Sequence, residues 1–516
     1  MKTIYSCCSD PFWLDVAEGL RREIQAEPIY WLAHPDSRRD VLARFPQAVF
    51  HSSLDAIRGL PPSKGAPEKL PALDQTFLLE NAHFESLSLK MMDRMDPGGA
   101  FPYGERIRLY YSLVRYWLGV LDQYRPGLVF FPTVPHMIHD FVLFNLAKLR
   151  GVKTLMFGRT GSRGFVYPMA DYEVGPEWLR KEYRSRLETF AGGPVGLSEE
   201  GAQYMAKLSA RADHAVQVHW KERNFAFTAH KRSRFRTLAG LARVHRYPRY
   251  AYTVCKTMYS RLFDAPPSNY LKVPGKRIED SKFSSREYRN YKKNAALKKD
   301  SLALFYNKLA KEPDFSRPYV FAALSYQPEQ NTSPMAGVFV HQLLMVDILS
   351  RCVPDDWQVY VKEHPVIFRK RKHGERSRDE WYYEDLAAIP KVRIMPMSTN
   401  SFELADKAKV VATSTGTIGW ESLARGKPVL VFGHPWYKDC EGAFFTPSLD
   451  TCKTALQTVA EGYTVDVDKV HLYLKVVEDC CYRAYNDNNM QRCSLVGEEE
   501  NLTNLIRAVT DFLGKY

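Results

Sequence analysis

Apolar runs alternate with amphipathic segments in the N-terminal part of the chain. The runs at 127–132 (GLVFFP) and 152–157 are predominantly apolar, and the segments at 107–123 and 136–149 repeat apolar residues with the period of a helix. Such runs are typical of strands covered on both faces, and strands separated by helices form parallel βαβ units. This pattern predicts a Rossmann-like domain, which we bound at residues 1–200.

The alternation resumes at Tyr319 and predicts a second domain, residues 318–480. Its predicted strands are 319–326, 357–362, 392–395, 409–413 and 428–432, and its predicted helices are 337–352, 377–388, 401–407 and 416–425. Short connections of this kind are typical of a doubly wound sheet. Residues 481–516 are predicted to form C-terminal helices.

The stretch between the two domains, residues 201–317, has no strong strand signal and is predicted to be a basic helical linker. A chain of 516 residues with 45% hydrophobic residues is long enough for two separate cores. We therefore predict an α/β fold of the GT-B type. In this fold two Rossmann-like domains face each other across a cleft, here with a helical linker and a helical C-terminal tail. Ligands of such folds bind in the cleft, at the carboxyl ends of the strands.

Most of the net charge of +13 is concentrated between Lys231 and Asp300, where there are 19 Lys and Arg residues and 5 Asp and Glu residues. A localised basic surface favours an anionic partner, such as a membrane face, an acidic polymer or nucleic acid; a solvated helical linker is the alternative. The nine cysteines show no metal-ligand spacing, and no apolar run fits a signal peptide or a membrane span. These features predict a cytoplasmic protein with reduced thiols.

Polar motifs follow several predicted strands of the second domain. The motif at 413–417 places hydroxyl groups and Gly416 at a helix start, where free N–H groups and the helix dipole favour a phosphate. Simple N-capping by Ser414 or Thr415 is the alternative. Glu421, on the same helix, is a candidate for holding a ribose diol, and a surface carboxylate is the alternative.

A second motif, Lys362 and His364 followed by Pro365, ends another predicted strand. Donors from both side chains can stabilise negative charge on a leaving phosphate; a structural histidine is the alternative. A third motif carries Gln327 and Glu329 in the loop after the first strand of this domain. Glu329 is its candidate catalytic carboxylate, and an ordinary turn before a helix is the alternative.

Two pairs of residues stand out in the N-terminal domain. His136 and Asp140 are four residues apart, which predicts them on one helix face, where the carboxylate can hold the imidazole as a base for a hydroxyl group. A solvated helix start is the alternative. Arg159 and Arg163 lie in a glycine-rich loop after a strand and are candidates for holding an anionic group of either substrate.

In this order, the C-terminal motifs resemble the capsule polysaccharide biosynthesis family, which includes the Kdo transferases that start capsule glycolipids in Gram-negative bacteria. The N-terminal half resembles only a general GT-B acceptor domain. The residues that carry the resemblance are Gln327, Glu329, Lys362, His364, Pro365, Ser414, Thr415, Gly419, Glu421, Leu423, Arg425, Gly426, Pro435, Trp436 and Tyr437.

The resemblance implies a glycosyltransferase with a nucleotide-sugar donor. The His-Pro element is also similar to one in bacterial sialyltransferases that contacts the CMP phosphate, which implies a CMP-sugar such as CMP-Kdo. One difference from the family concerns the first loop, where the Kdo transferases have two Asp residues after the Glu and this chain has Gln330 and Asn331. If one of those Asp residues is the catalytic carboxylate of the family, either Glu329 serves here or the reaction differs.

We therefore expect transfer of a sugar to a surface polysaccharide or a lipid-linked acceptor, without a cofactor or metal, because Lys and His can neutralise the leaving group. The expected catalytic residues are His364, Glu329, His136 and Asp140. The expected donor-binding residues are Gln327, Lys362, Ser414, Thr415, Gly416 and Glu421. Arg159 and Arg163 are expected to bind the acceptor or another anion.

The expected partners are a nucleotide sugar, a glycan or glycolipid acceptor and the anionic inner membrane, which Lys231–Lys299 would contact peripherally. No nucleic-acid partner is expected. Two enzyme classes with the same layout are alternatives, a CDP-polyol phosphotransferase of the teichoic-acid type and a nucleotide-sugar epimerase. A non-catalytic protein that binds polysaccharide or nucleic acid is a third alternative.

Overall fold

The computed structural model of the chain describes residues 1–161, 164–210, 270–369, 372–492 and 494–515, and these residues contain two β-sheets. The strands are, in chain order, β1 Lys2–Ser6, β2 Glu27–Ala33, β3 Val49–Ser52, β4 Leu128–Phe131, β5 Lys153–Arg159, β6 Phe165–Met169, β7 Tyr319–Ala323, β8 Gln358–Lys362, β9 Val392–Ile394, β10 Val410–Thr413, β11 Val429–Val431, β12 Ala443–Phe445 and β13 Tyr482–Arg483.

Helices connect most of the strands. They are α1 Phe12–Ile24, α2 Arg38–Arg44, α3 Ser53–Ala56, α4 Gln75–Glu80, α5 Ala82–Met91, α6 Tyr103–Tyr124, α7 Ile138–Leu149, α8 Glu177–Thr189, α9 Glu199–Ser209, α10 Ser285–Leu309, α11 Gln342–Cys352, α12 Glu380–Ala388, α13 Ser401–Lys407, α14 Thr417–Leu423, α15 Leu449–Ala460, α16 Val467–Cys480, α17 Asn488–Gln491 and α18 Glu498–Lys515. Short 3-10 helices cover Pro35–Ser37, Met92–Met95, Gly337–Val340 and Gly374–Arg376.

Both sheets have the strand order of a Rossmann fold. The first sheet runs β3–β2–β1–β4–β5–β6–β13, and the second runs β9–β8–β7–β10–β11–β12. All pairs in the second sheet are parallel, whereas β6 pairs antiparallel with both β5 and β13 in the first. Ile4 and Tyr5 are adjacent in β1 but enter different hydrophobic cores, as expected for a strand buried on both faces. The predicted GT-B-type α/β architecture is confirmed.

The C-terminal tail returns from the second sheet to the first. Helix α16 packs against α8, strand β13 extends the first sheet, and α18 packs against α1. Leu505 and Val509 of α18 share a hydrophobic core with Trp13 and Leu20 of α1. The tail therefore holds the two Rossmann-like domains together.

Two predicted helices differ from those in the structure. Helix α7 begins at Ile138 and not at His136, because Met137 is its N-cap and donates its backbone N–H to Asp140 Oδ1 at 2.8 Å. The helix predicted at 337–352 is divided into a 3-10 turn and α11, with His341 between them. The structure also contains four short strands that the hydrophobic pattern did not indicate, namely β3, β6, β12 and β13.

The predicted basic surface Lys231–Lys299 lies only partly within the described residues, since 231–269 fall outside them. The remainder includes the first part of α10, which begins with a capping box between Ser284 and Glu287. Lys299 of α10 is buried and lies 3.3 Å from Glu375 of the second domain. Among the helices of the described ranges, none combines the length and the apolar character needed to cross a bilayer.

Candidate functional site

The strand order reverses at the same point in each sheet. In the first sheet β1 lies between β2 and β4, and in the second β7 lies between β8 and β10. Loops that leave the carboxyl ends of such neighbouring strands diverge and create a crevice, where doubly wound sheets bind their ligands. The predicted site residues follow β4, β5, β7, β8 and β10, so most of them lie around these two crevices.

Side chains from both domains meet between the crevices. Gln330 donates its amide to Thr133 Oγ1 at 3.0 Å and to the Val134 carbonyl at 2.7 Å. The Arg94 guanidinium donates to the carbonyl of His136 and, at 2.8 Å, to the carbonyl of Ser333. The loops after β4 and β7 therefore face each other, with Arg94 and Gln330 joining the two domains.

His364, directly after β8, is surrounded by positive charge. Its Nδ1 accepts the Val366 N–H at 3.3 Å, so the neutral ring carries its proton on Nε2. Burial, and then the charges of Arg369, Lys362, Arg378 and Lys372, lower the pKa of His364 from 6.5 to about 4. At neutral pH His364 is thus an uncharged N–H donor within a cationic environment, which favours contact with a phosphate.

A buried ion pair lies behind His364. Arg378 Nε is 2.6 Å from Glu363 Oε2, and both side chains are fully buried at 0% exposure. The other carboxylate oxygen of Glu363 accepts the His364 N–H at 2.8 Å, and Tyr383 donates its hydroxyl to the same carboxylate at 3.1 Å. Arg378 also donates to Gln327 Oε1 at 2.7 Å. The pair therefore fixes the backbone of His364 and connects it to the loop after β7.

Gln327, predicted to bind the donor, is buried in this network. Its Oε1 accepts from Gln342 at 2.9 Å as well as from Arg378, and its amide donates to the Val340 carbonyl at 2.7 Å. Lys362 is similarly engaged, because its ammonium donates to the Thr399 carbonyl at 2.5 Å and to Ser401 Oγ at 2.9 Å. Both side chains therefore bond to protein groups and support the loops that form the crevice.

Burial lowers the pKa of Lys362 to about 8. Its charge nevertheless acts on His364. The positive charge of Lys362 thus acts on the crevice from a distance, while its hydrogen bonds hold the loop before α13.

The hydroxyl groups at the start of α14 bond to the neighbouring loop. Ser414 Oγ lies 3.0 Å from Ser325 Oγ, and Thr415 Oγ1 donates to the Asn331 carbonyl at 2.5 Å. Gly416 is the N-cap of the helix, and its carbonyl accepts the Tyr437 hydroxyl. The predicted phosphate motif thus lies beside the loop that carries Glu329, with both hydroxyls bonded to protein groups.

Glu421 lies on the same short helix and is 9% exposed. Burial raises the pKa of its carboxyl, while Arg425 and a hydrogen bond with Thr417 lower it. Glu421 in turn raises the pKa of the Tyr437 hydroxyl, second to burial. The carboxylate therefore lies next to the residues that shape the start of α14.

Glu329 is a partly buried carboxylate at the cleft. Within the described parts of the chain, its side chain has neither a hydrogen bond nor an ion pair. Burial raises the pKa of Glu329, and the charges of Lys372 and Arg94 oppose this rise. A carboxylate without a partner, close to two cations and with a raised pKa, is suited to proton transfer or to stabilising a developing positive charge.

The predicted pairing of His136 with Asp140 is wrong in its geometry. His136 precedes α7, so the helical spacing of four residues does not apply to it. Its Nδ1 lies 2.9 Å from the Val134 carbonyl, and burial lowers its pKa to about 4. Asp140 instead caps its own helix and accepts the Cys7 thiol at 3.6 Å.

Asp140 still has properties of interest, because burial raises its pKa to about 7. Cys7, at the carboxyl end of β1, has a φ of 63° and also lies 3.5 Å from His139 Nε2. Arg94 carries charge interactions with both Asp140 and Glu329. Asp140 therefore belongs to the same charged cluster as the cleft carboxylate, although it does not orient His136.

The two predicted arginines of the first domain have different outcomes. Arg159 donates to Asn486 Oδ1 at 2.8 Å and pairs with Asp487, so it connects β5 to the C-terminal tail. Arg163 lies outside the described residues. Arg94, Arg378 and Glu363 were not predicted as site residues. Arg94 and Arg378 act through tertiary contacts and belong to no local motif. Glu363 lies between the two predicted residues Lys362 and His364, which is the one signal that could have revealed it.

Parts of the chain are similar to known proteins. Residues 334–462 match the family model described as capsule polysaccharide biosynthesis protein. The capsule polysaccharide modification protein LipA of Neisseria meningitidis serogroup B is 32% identical over 79 residues, which are 15% of this chain and 10% of that protein.

Two solved structures are similar at low sequence identity. A β-Kdo 2,7-transferase of Thermosulfurimonas dismutans, KpsC, is 14% identical, with 44% of this chain and 62% of that chain covered and a TM-score of 0.21. The UDP-GlcNAc 2-epimerase of Methanocaldococcus jannaschii is 10% identical, with 93% and 100% covered and a TM-score of 0.24. The residues that match the family model, 334–462, span β8 to β12 and include the motifs after β8 and β10, whereas the motif with Gln327 and Glu329 precedes them.

Proposed function

We propose that the protein is a glycosyltransferase that transfers a sugar from a nucleotide sugar to a surface polysaccharide or a lipid-linked acceptor. The observation that carries this proposal is the proximity of the His364 crevice and Glu329, since the charge of Lys372 acts on the pKa of both residues. One side offers a neutral N–H donor among four cations, and the other offers a carboxylate that forms no hydrogen bond or ion pair within the described residues. A leaving nucleotide phosphate and a reacting sugar require these two environments side by side.

The donor phosphate lies, in this proposal, between His364 and the start of α14. His364 Nε2–H donates to a phosphate oxygen, while Lys362 and Arg378 contribute positive field from behind. The backbone at Gly416 completes the phosphate contacts, with Ser414 and Thr415 holding that turn in place. The positive charge of the crevice stabilises the leaving group without a metal ion.

In the transfer step, an acceptor hydroxyl oxygen forms a bond to the anomeric carbon, and the bond from that carbon to the phosphate oxygen breaks. The electron pair leaves with the nucleotide, and the hydroxyl proton passes to a carboxylate. Glu329 is the proposed acceptor of this proton, because its carboxylate lies in the cleft with no hydrogen bond or ion pair to the part of the chain that the structure describes. Asp140, the other predicted catalytic carboxylate, is buried and bonded to Met137 and Cys7, so Glu329 is the more accessible acceptor of the proton. His136 is a weaker base, because its pKa is about 4.

A CMP-sugar, such as CMP-Kdo, is the proposed donor. This part of the proposal rests on the Lys-x-His-Pro element at Lys362–Pro365 and on the match of residues 334–462 to the capsule polysaccharide biosynthesis family model. The amides Gln330 and Asn331 stand where the Kdo transferases carry acids. Gln330 joins the two domains by donating its amide N–H to the Val134 carbonyl, a hydrogen bond that an ionised carboxylate could not make. Because neither amide can act as a base, Glu329 is proposed as the catalytic carboxylate of this loop.

The experiment is a turnover assay of the purified protein with CMP-, UDP- and GDP-sugars and with CDP-polyols, with and without glycan acceptors. We expect hydrolysis or transfer with a CMP-sugar, and loss of turnover in His364→Ala and Glu329→Gln. Exposed residues provide matched controls, His83→Ala and Glu403→Gln, which should retain wild-type turnover. Release of CMP from a CDP-polyol would favour the phosphotransferase instead. Conversion of a nucleotide sugar without an acceptor, to an epimer that keeps its nucleotide, would favour the epimerase.

A further inference from the structure

A basic cavity lies in the first domain, separate from the His364 crevice. Its volume is about 550 Å³, and its walls are the loop after α3, the first turns of α6 and the linker segment 272–279. The charged side chains that line it comprise five cations and two carboxylates. They are Arg58, Arg108, Lys272, Lys276, Arg277, Glu105 and Glu279.

One ion pair builds the floor of this cavity. The buried Lys272 ammonium lies 2.7 Å from Glu105 Oε2, and Glu105 Oε1 also accepts the backbone N–H of Ile278 at 2.8 Å. These contacts fasten the linker segment to the start of α6. Arg277 pairs with Glu279 at 3.4 Å and Lys276 with Glu287 at 3.3 Å, so Arg58 and Arg108 are the lining cations that form no ion pair among the described residues.

Arg58 forms no ion pair within the described residues, although the charges of Asp55 and Asp280 act on its guanidinium. It is 4% exposed, its Nη2 donates to the Ser281 carbonyl at 2.7 Å, and its buried Nε has no hydrogen-bond partner among the described residues. Arg108, an exposed residue of α6 that also lines the cavity, likewise forms no ion pair within the described part of the chain. A buried guanidinium is costly without an anion, so an anionic ligand bound in the cavity would stabilise Arg58.

The position of the cavity relates it to the cleft. The 22-residue helix α6 begins at this cavity, and its N-terminal dipole adds to the positive potential. Lys272 donates its backbone N–H to the Met95 carbonyl at 2.7 Å, and the neighbouring residue, Arg94, joins the two domains at the cleft. The cavity therefore lies beside the cleft, on the side of the first domain.

We propose that this cavity is a binding site for a phosphate group carried by the acceptor. Two guanidinium groups and a helix N-terminus offer the forked and convergent N–H donors that phosphate oxygens accept. The assignment of this phosphate to the acceptor rests on the proposed glycosyl transfer, whereas phosphate binding itself does not. The volume also leaves room for the group to which the phosphate is attached.

The test is isothermal titration of the full chain with inorganic phosphate, with glycerol 3-phosphate and with phosphatidylcholine vesicles that contain or lack phosphatidylglycerol. Arg58→Gln and Arg108→Gln are the variants, and Arg39→Gln, an exposed arginine on α2, is the matched control. We expect saturable binding of both soluble phosphates, weakened about tenfold or more by each variant, as loss of one charged hydrogen bond implies. The control should bind like the wild type.

Binding of the phosphatidylglycerol vesicles in addition, with the same dependence on Arg58 and Arg108, identifies a lipid-linked acceptor. Binding of the soluble phosphates alone identifies a phosphate on the glycan. The proposal is overturned if wild type binds neither soluble phosphate, if vesicles alone bind, or if Arg108→Gln changes nothing. Arg108 is exposed, so this variant decides the matter even if Arg58→Gln fails to fold. CMP titration of the same samples keeps the outcomes separate, because a missing CMP site would refute the proposed transfer and leave the phosphate site standing.

Discussion

The buried pair between Glu363 and Arg378 permits a quantitative test of how the His364 crevice is held. In Arg378→Met, the Glu363 carboxylate stays buried with only the Tyr383 hydroxyl and the His364 N–H as partners. Breaking a fully buried ion pair costs about 3–5 kcal/mol. We therefore expect the opening free energy around β8 to fall by this amount, which speeds amide exchange there on the order of a hundredfold to several thousandfold.

Hydrogen–deuterium exchange of β8 amides measures this opening locally, so unfolding of the whole two-domain chain does not enter the result. The double variant Glu363→Gln/Arg378→Met should recover most of the protection, because a neutral amide retains an acceptor for the His364 N–H without a buried charge. Arg351→Met, which breaks the exposed pair with Asp347 on α11, serves as the control and should cost at most about 0.5 kcal/mol. If Arg378→Met costs no more than this control, the pair does not support the crevice.

Three further predictions concern the cleft. Glu329→Gln should abolish turnover and leave nucleotide affinity unchanged. In the wild type, turnover should rise with pH through the raised pKa of Glu329, because the carboxylate must be deprotonated to accept a proton. A rate that does not depend on pH would count against Glu329 as the base. Gln330→Glu places a carboxylate against the Val134 carbonyl and should open the cleft, which small-angle scattering detects as a larger radius of gyration than in the exposed control Gln47→Glu. Burial lowers the pKa of His139 from 6.5 to about 3, so the unfolded chain binds more protons than the folded chain and stability is lost as pH falls below about 6.5. His139→Gln should lessen this loss in acid denaturation. An unchanged dependence of the unfolding free energy on pH would refute the prediction.

The hydrophobic pattern was sufficient to predict the architecture. Buried strands such as β4 and β10 are continuous apolar runs, and the intervening helices have clear periodicity. The short strands β6 and β13 were not predicted, because their place in the sheet depends on pairing with distant segments. Tyr482 of the tail pairs with Val166, and no local pattern encodes that contact.

The candidate site was predictable where function follows from position on the sheet. His364, Glu329 and Gly416 follow strands that meet at one crevice, and the topology rule applies to all three. Roles that depend on side-chain direction could not be predicted. Ser414 bonds to Ser325, for example, and the sequence contains no information about that hydrogen bond.

The central claim is that His364 lies in a binding site for the phosphate of a cytidine nucleotide. Isothermal titration with CMP and with UMP tests it most directly, with His364→Ala as the variant and His83→Ala as the control. We predict saturable CMP binding that is tighter than UMP binding and that weakens about tenfold or more in His364→Ala, as loss of a hydrogen bond to a charged group implies. CMP affinity that is unchanged in His364→Ala, or wild-type protein that binds neither nucleotide, would contradict the account.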